Sequence, residues 1–134
     1  ASHSNCRSLM GPLSRETQRH LSDDTIREIA ARGGIIGINL VTNFLDPHAQ
    51  PGTRASIEHV VAHIEHACTI AGDTAHVALG SDADGGFSAL GLPAGIHRPA
   101  DFQRLAEALR DRGWSDGDVE GFASGNWIRF WSGA

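Results

Sequence analysis

The apolar positions change period along the chain, and each change marks an element. Ile26, Ile29 and Ala30 recur at helical spacing. Ser22 precedes them as a candidate N-cap. Asp23 and Asp24 follow in the first turn, where they complement the helix dipole. Gly33-Gly34 ends this helix, the first glycine taking the left-handed conformation. Residues 35–40 (Ile35-Ile36-Gly37-Ile38-Asn39-Leu40) are apolar on both faces, as in a parallel strand covered on both sides. A second helix is predicted over 56–71, with Ile57, Val60, Val61, Ile64, Cys68 and Ala71 on one face and Gly72 closing it. Residues 75–79 predict a second strand. The order helix, strand, helix, strand, with short helix-to-strand links and a long loop over 41–53, is β/α wiring and predicts an α/β fold.

Downstream, 86–98 reads as a loop. Pro99 opens a helix whose buried stripe is Phe102, Leu105, Ala106 and Leu109, and Gly113 stops it. Ser115-Asp116-Gly117-Asp118 predicts a capping box on a further short helix with Val119, Phe122 and Ala123 as its apolar face. Gly125-Asn126 is expected to break it before the aromatic turn Trp127-Ile128-Arg129-Phe130-Trp131, whose tryptophans read as packing. Upstream, 4–21 is polar and aperiodic, with a short helix over 6–10 and a turn at Gly11-Pro12.

The 134 residues have the length of one domain. The net charge of −5, with arginines interleaved among acids and no lysine, leaves no basic face for a nucleic-acid partner. No apolar run is long enough for a membrane span and no signal segment opens the chain, so a cytoplasmic location is the default expectation. Two cysteines do not build a disulfide framework. The chain opens in a polar stretch, Ala1-Ser2-His3-Ser4. If His3 ends a strand, most of that strand is missing, and the chain is expected to be a piece of a longer protein.

The chemistry centres on Gly80-Ser81-Asp82-Ala83-Asp84-Gly85-Gly86, which follows the second strand. Carboxylates at the carboxyl end of a strand, with glycines to turn the backbone beside them, fit an active-site rim. An acidic turn that bonds its own backbone fits equally well. Arg15 and Arg19 stand near the same rim, or are surface charge. His59, His63 and His66 cluster on one face of the second helix. That face lies opposite the apolar stripe and is expected to be solvated, although a small histidine-rich metal-binding module is a rival reading.

Five pieces occur in order: Ser2-His3-Ser4-Asn5, Arg19-His20-Leu21-Ser22-Asp23-Asp24, Gly33-Gly34-Ile35-Ile36-Gly37-Ile38-Asn39, Gly80-Ser81-Asp82-Ala83-Asp84-Gly85 and Gly125-Asn126-Trp127-Ile128-Arg129. Together they resemble the carboxyl-terminal part of the membrane dipeptidase family of zinc peptidases, in its bacterial form. The resemblance spans residues 1–134. It implies the last units of a (β/α)8 TIM-type barrel with two zinc ions at the strand ends. It implies His3 as a metal ligand, Arg19 as the group that binds the dipeptide's terminal carboxylate, Asp82 as the catalytic acid beside the metals, and Asp84 as a hydrogen-bonding support for the turn. Phe44 takes the place of an aromatic that lines the substrate pocket. Family members usually carry Asn where His20 stands. The family's other metal ligands have no counterpart in this chain, so the isolated chain is expected to be inactive. The alternative is a non-catalytic α/β fragment. Open barrel edges predict a homo-oligomer, or association with the missing part of the barrel.

Overall fold

The computed structural model describes residues 1–11 and 18–133. Its elements alternate as expected: α1 (Asp23–Ala31), β1 (Ile36–Ile38), α2 (Ile57–Ala71), β2 (Val77–Leu79), α3 (Gln103–Asp111), α4 (Asp116–Glu120) and α5 (Asn126–Ser132). Four-residue or shorter 3-10 turns precede or link them, including Arg7–Leu9, Thr42–Phe44 and Pro99–Phe102. Ser22 caps α1 by accepting from the Thr25 amide. Ser56 caps α2, and its main-chain amide donates to His59 Nδ1, which closes a capping box. At α4, Ser115 accepts from the Asp118 amide, but the Asp118 carboxylate accepts from the Ser115 and Thr74 hydroxyls. The predicted capping box is thus only half formed there.

β1 and β2 pair in parallel, Ile36 opposite Val77 and Ile38 opposite Leu79. Residues 1–4 run beside β1 in the same direction: the Gly37 amide donates to the Ala1 carbonyl at 2.8 Å and the Ser4 amide to the Gly37 carbonyl at 2.9 Å. One face of the pair is covered by α2, with Ile36, Ile38, Val60, Val61 and Ile64 buried between them. On the other face the Ser2 carbonyl lies against Gly37 and Gly80. A Cβ at either position would collide with it, so both must be glycine for this approach.

Both strands are shorter than the predicted 35–40 and 75–79. Past Ile38 the backbone of Asn39 is held by the Asn5 side chain and not by a neighbouring strand. Gly125-Asn126 does not break the last helix. A π-helical turn over Gly121–Gly125 runs into α5, and Gly125 keeps helical angles (φ −58, ψ −39). The wider turn buries Phe122 and Asn126 and leaves Ala123 exposed, contrary to the expected apolar face. Asn126 is needed inside. Its Nδ2 donates to the Thr74 and Val77 carbonyls at 2.8 and 2.7 Å, and Trp127 Nε1 donates to Leu79 at 2.8 Å. Since His76 accepts from β1, the Val77 and Leu79 carbonyls point to the opposite edge of β2, which α5 therefore covers.

The expected solvated histidine face is also corrected. His63 is 1% exposed, because the segment after His3 packs across that side of α2. Its Nδ1 accepts from the Cys6 amide and its Nε2 faces the Leu45 carbonyl at 3.2 Å. Arg54 ties the loop before α2 to the loop after β2, donating to the carbonyls of Ala89, Leu92, Pro93 and Ile96. No described helix is long and apolar enough to cross a membrane.

Candidate functional site

The carboxyl ends of β1 and β2 lie side by side, with the Gly80 amide donating to Ile38 at 3.0 Å and the Leu40 amide to Ser81 at 3.3 Å. The chain that leaves β2 turns at once. Asp82 and Asp84 both adopt left-handed backbone angles, φ 57 and 68, which are uncommon outside glycine and tolerated best by Asp and Asn. Gly85 lies against the Asp82 carboxylate, where a Cβ would collide with it. The turn and the amino-terminal segment together border an open cavity of about 480 Å³ lined by Ser2, His3, Asp82, Asp84, Trp127 and Trp131. The structure therefore brings His3 and Asp82 to one cavity. His3 is exposed, and its Nδ1 is paired with Ser2 Oγ at 2.8 Å, which leaves Nε2 for another partner.

Asp82 is held from behind. Asn39 Nδ2 donates to Asp82 Oδ2 at 2.9 Å, and Asn39 Oδ1 accepts from the Val41 amide at 2.6 Å, which fixes which end of the amide faces the carboxylate. Asn39 is 1% exposed. Asp84 does not support the turn in the expected way. It is exposed, and among the described residues its side chain makes no hydrogen bond. Its contribution to the turn is its backbone conformation.

A second cluster forms where Arg19 and Phe44 meet. The Arg19 guanidinium carbon sits 4.1 Å from the centroid of the Phe44 ring, a cation–π contact. His20 approaches the same ring edge-on, at 5.9 Å. It is buried, its Nδ1 has no partner among the described residues, and burial, followed by the charges of Arg19 and Arg7, lowers its pKa. Arg15 lies outside the described residues, as does Pro12 of the expected turn.

The three α2 histidines do not converge. His59 serves the cap, His63 is buried, and His66 Nε2 meets Asp23 Oδ1 at 2.9 Å and Ser8 Oγ at 2.9 Å. Serine, histidine and aspartate are together here, but both oxygens share one ring nitrogen. A proton relay needs the two different nitrogens, so this is an anchoring contact between α1 and α2. Among the described residues no group of three or more His, Cys, Asp or Glu side chains is placed to hold a metal ion. His3 fits as one ligand: an exposed imidazole with one nitrogen held by a neighbour and the other open. Both cysteines are free, and burial pushes each thiol up to about 12, so neither is a nucleophile.

Asn5 and Asn39 carried no role in the sequence reading beyond marking a motif. The only signal was their position at strand ends, and apart from the Val41 amide their side-chain partners lie 34 or more residues away.

A sequence model described as "Membrane dipeptidase (Peptidase family M19)" matches residues 1–134. An uncharacterized protein of Klebsiella pneumoniae from the pqqA 5' region is 32% identical over 129 residues, which cover 96% of this chain and 44% of that protein. An uncharacterized dipeptidase of Schizosaccharomyces pombe is 29% identical, over 84% of this chain and 26% of its own length. The crystal structure of a metallo peptidase from Rhodobacter sphaeroides, liganded with a phosphinate mimic of the dipeptide L-Ala-D-Ala, superposes with a TM-score of 0.82 at 27% identity. The match covers 97% of this chain and 34% of that one. The chain thus spans less than half the length of these relatives, and its fold is that of consecutive β/α units of an α/β barrel.

Proposed function

Because the chain belongs to the membrane dipeptidase family, peptidase family M19, we propose that the full-length protein is a zinc-dependent dipeptidase to which this segment contributes one wall of the active site. The observation that supports this reading is the shared cavity of His3 and Asp82, with the Asp82 carboxylate oriented by a buried amide. His3 supplies one of the ligands to a pair of zinc ions, and the remaining ligands come from outside residues 1–134. Zinc, when bound, polarises a peptide carbonyl and acidifies water.

The chain's own residues do the rest. Asp82 Oδ2 is taken by Asn39, so Oδ1 is the oxygen that receives a proton from the attacking water and passes it to the departing amine nitrogen. Arg19 grips the free carboxylate of the dipeptide with its two-pronged donor set, and Phe44 supports the guanidinium from one face. The test is hydrolysis of L-Ala-D-Ala by the purified full-length protein, stripped of metal and then reloaded with zinc. Activity that returns with zinc is expected. A zinc-loaded protein that leaves this and other simple dipeptides intact would remove the reading.

A second reading concerns the isolated chain. Trp131 and Ile128 on α5 are 77% and 64% exposed, a level of apolar exposure that favours self-association when the rest of the protein is absent.

A further inference from the structure

The Asn5 side chain bonds the main chain behind both parts of the site. Its Oδ1 accepts from the Asn39 main-chain amide at 2.8 Å, and its Nδ2 donates to the Asn39 carbonyl at 3.1 Å and to the Phe44 carbonyl at 2.7 Å. It is 1% exposed. One side-chain amide therefore imitates a strand neighbour for Asn39, where the ladder of β1 has ended, and holds Phe44 as well. Asn39 then passes its own amide to Asp82 Oδ2. Phe44 carries Arg19 on its ring. Asn5 itself stands two residues after His3 on the segment that runs beside β1.

We propose that Asn5 is the positioning residue that sets the carboxylate-binding half of the site, Arg19 with Phe44, at a fixed distance from the catalytic half, Asp82, and that Asn39 relays this to Asp82 alone. The inference rests on the dipeptidase reading. Its physical basis is the division of labour between atoms. Asn5 Nδ2 donates to the main chain of Phe44 in one half and of Asn39 behind the other, while Asn39 Nδ2 donates to Asp82 itself. Dipeptide hydrolysis needs both ends of a short substrate held at once. An error of position in one half is then read in binding, and an error in the other in turnover.

Isosteric changes separate the two. Asn5→Asp keeps the acceptor for the Asn39 amide and turns the donor into an oxygen that faces two carbonyls. Phe44 and Arg19 shift, and KM for L-Ala-D-Ala in the zinc-loaded full-length enzyme rises about tenfold or more, with a matching loss of affinity for the phosphinate mimic of that dipeptide. Asn39→Asp places an acceptor against Asp82 Oδ2, and kcat falls roughly 10–100-fold with KM within about twofold of the parent. Circular dichroism and thermal melting accompany each variant. If Asn5→Asp does not fold, Asn5→Ser, which keeps a small polar acceptor, carries the same expectation for KM. A merely structural role would lower the active fraction and leave both KM and inhibitor affinity at parental values, and that result overturns the proposal. So does a KM effect of Asn39→Asp equal to that of the Asn5 variant. An inactive parental enzyme defeats the dipeptidase reading and this inference with it. An active parent with unresponsive variants defeats the inference alone.

Discussion

Asp82 and Asp84 sit two residues apart in the same left-handed conformation and border the same cavity, yet their side chains are held differently. Asp82 faces the His3 cavity and accepts from a buried amide, whereas Asp84 is exposed and its side chain has no hydrogen bond among the described residues. Asp82→Asn in the full-length enzyme should therefore lower kcat by ~10²–10⁴, the span for loss of a general acid–base group, with zinc content unchanged. Asp84→Asn keeps a residue type that tolerates the left-handed backbone and breaks no side-chain bond. It should leave stability within about 0.5 kcal/mol of the parent and kcat nearly untouched. Steady-state kinetics and denaturant titration of the two variants read the contrast. A comparable kcat loss in both would return the stretch to an acidic turn. For Arg19 the expectation is a KM effect. Arg19→Lys keeps the charge but loses the paired donors and the flat face that stacks on Phe44, so KM should rise about ten- to a hundredfold, as for one lost charge-assisted hydrogen bond.

At the scale of elements, the segments with one apolar stripe were legible and those covered from two sides were not. The stripes of α1 and α3 predicted their buried residues, Ile26 and Ala30 in one and Leu105 and Leu109 in the other. On α2 the stripe was found, but His63 lies buried on a different face, because the 3-10 turn near Cys6 packs there. Periodicity carries no trace of such long-range cover. The burial has a thermodynamic consequence. The His63 ring accepts through Nδ1 and donates through Nε2, so it has no place for a second proton, and burial lowers its pKa to about 4. The unfolded chain titrates near 6.5, so the folded state is the one that binds fewer protons between these values. Stability should be complete above about pH 6.5 and fall by roughly 3 kcal/mol as pH drops toward 4. His63→Gln should flatten that part of the profile in urea titrations at a series of pH values. The start of α5 is the other place that the pattern misread. Gly125-Asn126 looks like a stop, but Asn126 points inward and serves two carbonyls of the β2 region. Asn126→Ala removes the donor of the Val77 carbonyl and leaves the Thr74 carbonyl only the long 3.5 Å bond from the Val77 amide, so it should cost about 1–3 kcal/mol, measured by the same titration. A cost near zero would mean that water replaces the amide freely.

For the molecule as a whole, the alternation of helix and strand was readable because each β/α unit states its own pattern locally. The candidate site was readable only as its chemical ends, His3, Arg19, Phe44 and Asp82. The amides that join them, Asn5 and Asn39, act through contacts 34 to 43 residues apart that leave no local signature. The same distinction governs what the 134-residue chain can do alone. To the proposed site it contributes Asp82, the Arg19–Phe44 cluster and His3 as one metal ligand, and among the described residues no group of three or more ligating side chains converges. A catalytic zinc needs about three protein ligands and an open position. The purified chain, supplied with zinc at neutral pH, should therefore show no hydrolysis of L-Ala-D-Ala above the rate of zinc alone, although its fold is intact by circular dichroism. Sedimentation of the same sample should show association, because Ile128 and Trp131 remain exposed. Measurable zinc-dependent turnover by the chain would mean that a second copy supplies the missing ligands across that association, and it would then vanish on dilution to monomer. Turnover that persisted in the monomer would refute the assignment of the remaining ligands to residues outside this segment.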